Sequence, residues 1–116
     1  MVHTGSCHCG RIRYEVEGTV DSGLACNCSM CSRKGSLLWF VPRENLRLLT
    51  DEKDVSTYLF NKHVIQHHFC NVCGIHPYGE AVHPKTGQPT AAVNLRVLEN
   101  FDLASVPVKH VDGRSY

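Results

Sequence analysis

Seven cysteines fall into three tight groups, "CHCG" (Cys7, Cys9), "CNCSMC" (Cys26, Cys28, Cys31) and "CNVCG" (Cys70, Cys73), and this spacing constrains the fold more than any other feature. Buried inert thiols have no reason to cluster in this way. Disulfides fit poorly as well. The count is odd, and the opening "MVHTGSCHCG" lacks the apolar stretch of a signal peptide, so a reducing compartment is expected. Clustered thiols at Cys-x-Cys and Cys-x-x-Cys spacings read as metal ligands. Zinc is the default ion for them, with an iron–sulfur cluster as the alternative.

A structural thiolate zinc takes four ligands, so seven cysteines divide most simply into four and three. Two pairings compete for the set of four: a ribbon from Cys28, Cys31, Cys70 and Cys73, or a closed site from Cys7, Cys9, Cys70 and Cys73. "CHCG" and "CNVCG" both end in Cys-Gly, and glycine there permits the left-handed backbone that turns amide hydrogens toward the sulfurs of a knuckle. Cys31 is followed instead by Ser32. Three thiols within six residues also reach three corners of one tetrahedron with almost no loop-closure cost. Cys26, Cys28 and Cys31 therefore form their own set with an open position, as catalytic zinc sites do. The other four tie the first strand to the middle of the chain and contribute to folding, on the order of 10–16 kcal/mol in zinc-finger-like sites.

The chain has 116 residues, which predicts a single domain, 1–116, burying about 60–70% of the surface its unfolded form exposes. With 12 Lys+Arg against 11 Asp+Glu and no basic run, nothing calls for nucleic acid or an anionic membrane surface. The longest apolar run, "LLWFV" at 37–41, is too short to span a bilayer. The chain reads as a soluble cytoplasmic monomer or homodimer, with small molecules as partners.

"RIRYEVEG" alternates Ile12, Tyr14 and Val16 with charged residues, the period of a half-buried strand. "LLWFVP" reads as a buried strand closed by Pro42. "VSTYLF" (55–60) and "VIQHHF" (64–69) read as strands of a hairpin turning at Asn61-Lys62-His63, which delivers Cys70 from a strand end. A further strand is expected over 90–98, after the irregular "HPKTGQP". Trp39, Phe40, Tyr58, Phe60 and Phe69 are expected in the core. The expectation is a mostly β, metal-stapled sandwich of antiparallel strands with little helix.

"GSCHCGRIRYEVEG", "CNCSMCSRKGS" and "YLFNKHVIQHHFCNVCG" resemble, in order and spacing, the glutathione-dependent formaldehyde-activating enzyme family, whose eukaryotic relatives include centromere protein V. The resemblance covers roughly residues 3–80. It implies an Mss4-like β fold, a structural zinc on Cys7, Cys9, Cys70 and Cys73, and a second, exchangeable zinc on Cys26, Cys28 and Cys31. It also implies a carbon–sulfur lyase activity, the addition of glutathione to formaldehyde to give S-hydroxymethylglutathione. The chain departs from the family pattern after the last Cys-Gly, where Ile75-His76-Pro77-Tyr78 replaces a small residue followed by an aliphatic one.

Three thiolates leave zinc a weaker Lewis acid than three histidines would, so a thiol suits the open position better than a hydroxide and hydrolysis is disfavoured. Arg33 and Lys34 follow the cluster and are candidates for holding glutathione carboxylates, or are solvated counter-charges. His67 and His68 alternate, so at most one faces a given site; His8 and His76 adjoin the knuckles as candidate supporting donors. The non-enzymatic alternative is a zinc-stapled binding module, in which a protein ligand such as histidine closes the second site.

Overall fold

The computed structural model describes residues 1–60, 65–83 and 85–112, with Phe60 given by its backbone alone. Alternation builds the first sheet. In β2 (Arg13–Glu17) Tyr14 and Val16 point inward and are fully buried, and the strand pairs antiparallel with β1 (Val2–Ser6) on one side. A third strand, Leu46–Leu48, completes that sheet on the other side of β2 and is β5 in chain order.

The larger sheet comprises β3 (Gly23–Cys26), β4 (Leu38–Pro42), β6 (Val55–Phe60), β7 (Ile65–Cys70), β8 (Tyr78–Val82), β9 (Pro89–Asn94) and β10 (Val108–Val111), in the order β10-β3-β4-β9-β8-β7-β6. Its ladders are antiparallel except that of β10 on β3, which is parallel. Residues 95–107, with two short 3₁₀ turns, provide the crossover that a parallel pairing requires. One α-helix, α1 (Ser29–Lys34), leaves β3 almost at once. The architecture is thus the mostly β, two-sheet fold with little helix that the sequence predicts, with one parallel edge added.

Register assigns the two faces of the large sheet. Trp39, Val93, Tyr78, His68 and Thr57 are successive cross-strand partners and form one row. That row faces the small sheet: Trp39, Val93 and Tyr78 join Tyr14, Val16 and Leu46 in one buried cluster. Tyr14 lies edge-on to Tyr78, with ring centroids 5.7 Å apart, and donates its hydroxyl hydrogen to the Pro77 carbonyl at 2.9 Å. Room for the ring comes from Gly5 on β1, where any Cβ would sit 2.5 Å from it.

The neighbouring row runs Phe40, Ala92, Gly79, His67, Tyr58 and shows the opposite face. Phe40 and Tyr58 are therefore not core residues as expected, being 48% and 51% exposed, while Trp39 is buried. One residue of alternation separates the outcomes, because strand composition reports a strand but not which face is covered. Phe69 is half-buried, and the Phe60 side chain lies outside the described residues, as do Val64 and the turn Asn61-Lys62-His63. The strand expected over 90–98 is β9 only as far as Asn94. There the Asn94 side chain accepts the Arg96 N–H at 3.1 Å and turns the chain into a 3₁₀ helix, Leu95–Val97. Pro89, placed in an irregular loop by the sequence, starts β9, a strand position that needs no ladder N–H.

Candidate metal centres and the adjoining cavity

The four cysteines at the two Cys-Gly knuckles converge. Cys7 and Cys9 follow β1, Cys70 ends β7, Cys73 lies one turn beyond, and their four sulfurs lie within 4.8 Å of one another. Gly10 and Gly74 have φ of +84° and +81°, and this left-handed turn lets Gly10 N–H donate to the Cys7 carbonyl and Gly74 N–H to that of Cys70. Backbone N–H groups point at the sulfurs: Ile12 donates to Cys7 Sγ at 3.3 Å, and Val72 and Cys73 donate to Cys70 Sγ at 3.4 Å.

This donor set fits zinc. Cys9 Sγ lies 3.7 Å from Cys7 Sγ and 3.6 Å from Cys70 Sγ, close to the ~3.8 Å edge of a tetrahedron with metal–sulfur bonds of about 2.3 Å. Without a cation the sulfurs cannot all ionise. Burial pushes the Cys7 thiol up to about 11. At Cys73 burial is opposed and outweighed by the N–H groups of Ile75 and Cys9, which bring it down to about 6. Four thiolates packed this closely need a positive charge among them. The ribbon pairing of Cys28 and Cys31 with Cys70 and Cys73 does not occur.

Cys26, Cys28 and Cys31 form the second group, again within 4.8 Å of one another. Cys26 ends β3, Cys28 is the N-cap of α1 and Cys31 lies in its first turn. The Cys28 sulfur accepts the Cys31 N–H at 3.3 Å, and Cys28 N–H donates to Cys26 Sγ at 3.5 Å. Burial pushes Cys31 up to about 12, and the Cys28 sulfur adds to the effect. At Cys28 burial is outweighed by the Cys31 N–H and its pKa falls. Among the described residues no histidine or carboxylate joins this group. The protein-supplied fourth ligand that a closed binding module calls for is therefore absent among those residues.

Cys31 also borders a cavity of about 70 Å³ on the uncovered face of the large sheet, under the end of α1. Arg33 and Lys34 part company here. Arg33 turns back along its own helix, donating to the Ser29 carbonyl at 2.9 Å. Lys34 turns inward, its Nζ 2.9 Å from His67 Nδ1 and 3.3 Å from His76 Nδ1. Burial lowers the Lys34 pKa, while the Cys31 and Cys28 sulfurs act to hold its proton. His76 Nδ1 lies 2.6 Å from the His68 carbonyl. That acceptor places the ring proton on Nδ1, so the Lys34 ammonium donates to His67. Burial, then the Lys34 charge, brings both rings down to about 4, so both are neutral at pH 7.

His68 faces the other way, as alternation requires. It lies between Thr57 Oγ1 at 2.8 Å and Glu80 Oε2 at 2.6 Å, and Glu80 also pairs with Arg43. His68 thus braces the core side, whereas His67 and His76 line the cavity. The unusual Ile75-His76-Pro77-Tyr78 is explained in part: His76 enters the cavity, Pro77 accepts the Tyr14 hydrogen bond, and Tyr78 opens β8 within the core. His8 is exposed on the first knuckle. Sequence reasoning did not bring Lys34, His67 and His76 together, and it missed Gly79 and Ala92 at the cavity floor. The available signal was the alternation of "QHHF", which puts the two histidines on opposite faces.

A model of the glutathione-dependent formaldehyde-activating enzyme family matches residues 2–111. The chain belongs to that family. Two curated relatives, from Colletotrichum graminicola and Aspergillus terreus, are each 32% identical over 97 residues, covering 77% of this chain and 50% of theirs. Both are named, provisionally, as glutathione-dependent formaldehyde-activating enzymes. The chain thus spans about half the length of the curated relatives it matches. The crystal structure of a Rhodobacter sphaeroides protein superposes with a TM-score of 0.78 at 27% identity, covering 91% of this chain and 99% of that one. Among the described residues no helix is long and apolar enough to cross a membrane.

Proposed function

We propose that the chain catalyses reversible addition of a thiol to a small aldehyde, a carbon–sulfur lyase reaction of the S-(hydroxymethyl)glutathione synthase type with glutathione and formaldehyde as the family's substrates. The observation that carries this reading is that Cys31, one of three clustered sulfurs lacking a fourth described protein ligand, borders the same cavity as a half-buried lysine and two neutral histidines. Cys7, Cys9, Cys70 and Cys73 would hold a structural zinc, and Cys26, Cys28 and Cys31 a second. When bound at the second site, zinc supplies the positive charge that favours an ionised sulfur over a thiol.

The chain's own groups do the rest. The apolar walls exclude water from the carbonyl, which otherwise hydrates. Lys34 Nζ, fixed by His67 Nδ1, presents N–H bonds to the carbonyl oxygen, where negative charge gathers as the sulfur–carbon bond forms and the C=O π pair moves to oxygen. That oxygen takes a proton from Lys34 Nζ, and a proton from solvent, balancing the one the thiol released on binding, restores the ammonium. Arg33, on the outer side of α1, holds no part of the cavity and is left as a candidate for a glutathione carboxylate only at its rim.

The reading is tested by calorimetry on the zinc-loaded protein. Glutathione should bind with release of a proton, measured from the buffer dependence of the heat, and S-methylglutathione should bind far more weakly. Equal binding of the two, with no proton released, would refute a sulfur-directed site.

A further inference from the structure

The cavity beside Cys31 has the wrong chemistry for formaldehyde alone. Its floor is Gly79, Ala92 and Ala81 at the centre of the large sheet, and Phe40, Leu38 and Ile65 form the sides. Phe40, Ala92, Gly79 and His67 are successive cross-strand partners, so small residues in the middle of one row and large ones at its flank make the hollow. The polar groups gather at one end, where Lys34 meets His67 and His76 near Cys31. Formaldehyde has a carbonyl to offer the polar end and no carbon to offer the walls. At about 70 Å³, and at the packing density of a protein interior, the cavity has room for roughly three to four non-hydrogen atoms. A two- or three-carbon aldehyde fills it, its oxygen at Lys34 and its alkyl chain against Phe40 and Ala92.

We infer that this apolar hollow on the uncovered face of the large sheet is an alkyl-binding subsite, and that the chain's preferred carbonyl substrate is a short aliphatic aldehyde of two or three carbons rather than formaldehyde. The inference rests on the thiol-addition reading for the reaction, and on the hollow itself for the substrate. In the step, the thiolate sulfur bonds to the aldehyde carbon, the C=O π pair becomes an alkoxide lone pair, and that oxygen takes a proton from Lys34, so that the proton lost by the thiol is balanced by the one gained on oxygen. The product is the thiohemiacetal, with no oxidant or reductant needed.

Two measurements test this. The first is kcat/KM for glutathione addition to formaldehyde, acetaldehyde, propionaldehyde and pentanal, each divided by its uncatalysed rate to remove intrinsic electrophilicity. The enhancement should rise about fourfold per added carbon up to propionaldehyde, then fall at pentanal, which overfills the hollow. Ala92→Val, or Ala81→Val if the first variant misfolds, should lower the propionaldehyde-to-formaldehyde ratio of enhancements.

The second uses unreactive amides as aldehyde isosteres, followed by the ring resonances of His67 and His76 in NMR. Propionamide should shift them at about fifteenfold lower concentration than formamide, the value for two carbons at fourfold each. An enhancement that does not grow beyond formaldehyde, with the two amides indistinguishable, overturns the alkyl subsite while leaving thiol addition standing. Amide discrimination with no turnover of any aldehyde supports the subsite and removes the thiol-addition reading. No turnover of any aldehyde, together with indistinguishable amides, removes both the subsite and the thiol-addition reading.

Discussion

Replacing Cys70 by serine separates the two cysteine groups most sharply. Cys70 is fully buried at the end of β7, accepts N–H bonds from Val72 and Cys73 at 3.4 Å, and lies 3.6 Å from Cys9. It links the "CHCG" turn that follows the small sheet's first strand to the hairpin of the large sheet. A site of this kind contributes on the order of 10–16 kcal/mol, so one ligand in four accounts for roughly 3–4 kcal/mol. For a domain of this size about 1 kcal/mol moves Tm by roughly 4 °C, giving an expected fall of about 12–16 °C. Cys28→Ser should behave quite differently. Cys28 caps α1 through its side chain, and serine is a better N-cap than cysteine, so the loss should stay within about 1 kcal/mol. The assay is thermal unfolding by circular dichroism on zinc-loaded protein, with metal per chain measured on the same samples. Equal losses of Tm for Cys70→Ser and Cys28→Ser would refute the division into a folding site and an exchangeable one.

Mild chelation should remove one metal equivalent and leave the β spectrum intact, because three ligands within one strand-to-helix turn release more readily than four drawn from two distant segments; loss of both metals together with the fold would contradict it. Lys34→Met should lower turnover about 10²–10³-fold at unchanged metal content, the usual consequence of deleting one preorganised donor to a developing oxyanion, whereas Arg33→Gln should change turnover little; activity assays on both variants decide this. The folded-state pKa values of His67 and His76 are depressed to about 4 from 6.5, first by burial and then by Lys34. The stability that follows is full above about pH 6.5 and is lost as the pH falls toward 4. Melting curves across this window should therefore slope less steeply in His76→Gln than in the parent chain, and parallel slopes would be the contrary result.

Where local pattern carried the information, the sequence was readable. β2, β4, β6 and β7 each announced themselves by alternation or by β-branched and aromatic content, and the knuckle glycines separated the two groups of cysteines. β8 was missed because "YGEAV" follows a proline and contains glycine, and its place depends on pairing with β7 and β9. β1, β3, β5 and β10 are only three to five residues long and gain their definition from neighbours rather than from their own composition. The cavity was invisible for a related reason. Lys34 meets His67 and His76 across 33 and 42 residues, a meeting set by the angle at which α1 leaves β3 and by which face of β7 is uncovered. Phe40 and Tyr58 show the same limit: alternation places them together on a face, but only the second sheet determines that theirs is the uncovered one.

The central claim is that this chain accelerates thiol addition to an aldehyde at Cys26, Cys28 and Cys31. Magnetisation-exchange NMR with ¹³C-labelled formaldehyde and glutathione measures the interconversion of hydrated formaldehyde and S-hydroxymethylglutathione directly, at equilibrium and in both directions. Zinc-loaded protein should raise the exchange rate in proportion to its concentration, and folded Cys28→Ser should abolish the increase. An exchange rate equal to that of the uncatalysed mixture, or one that survives Cys28→Ser undiminished, would contradict the account.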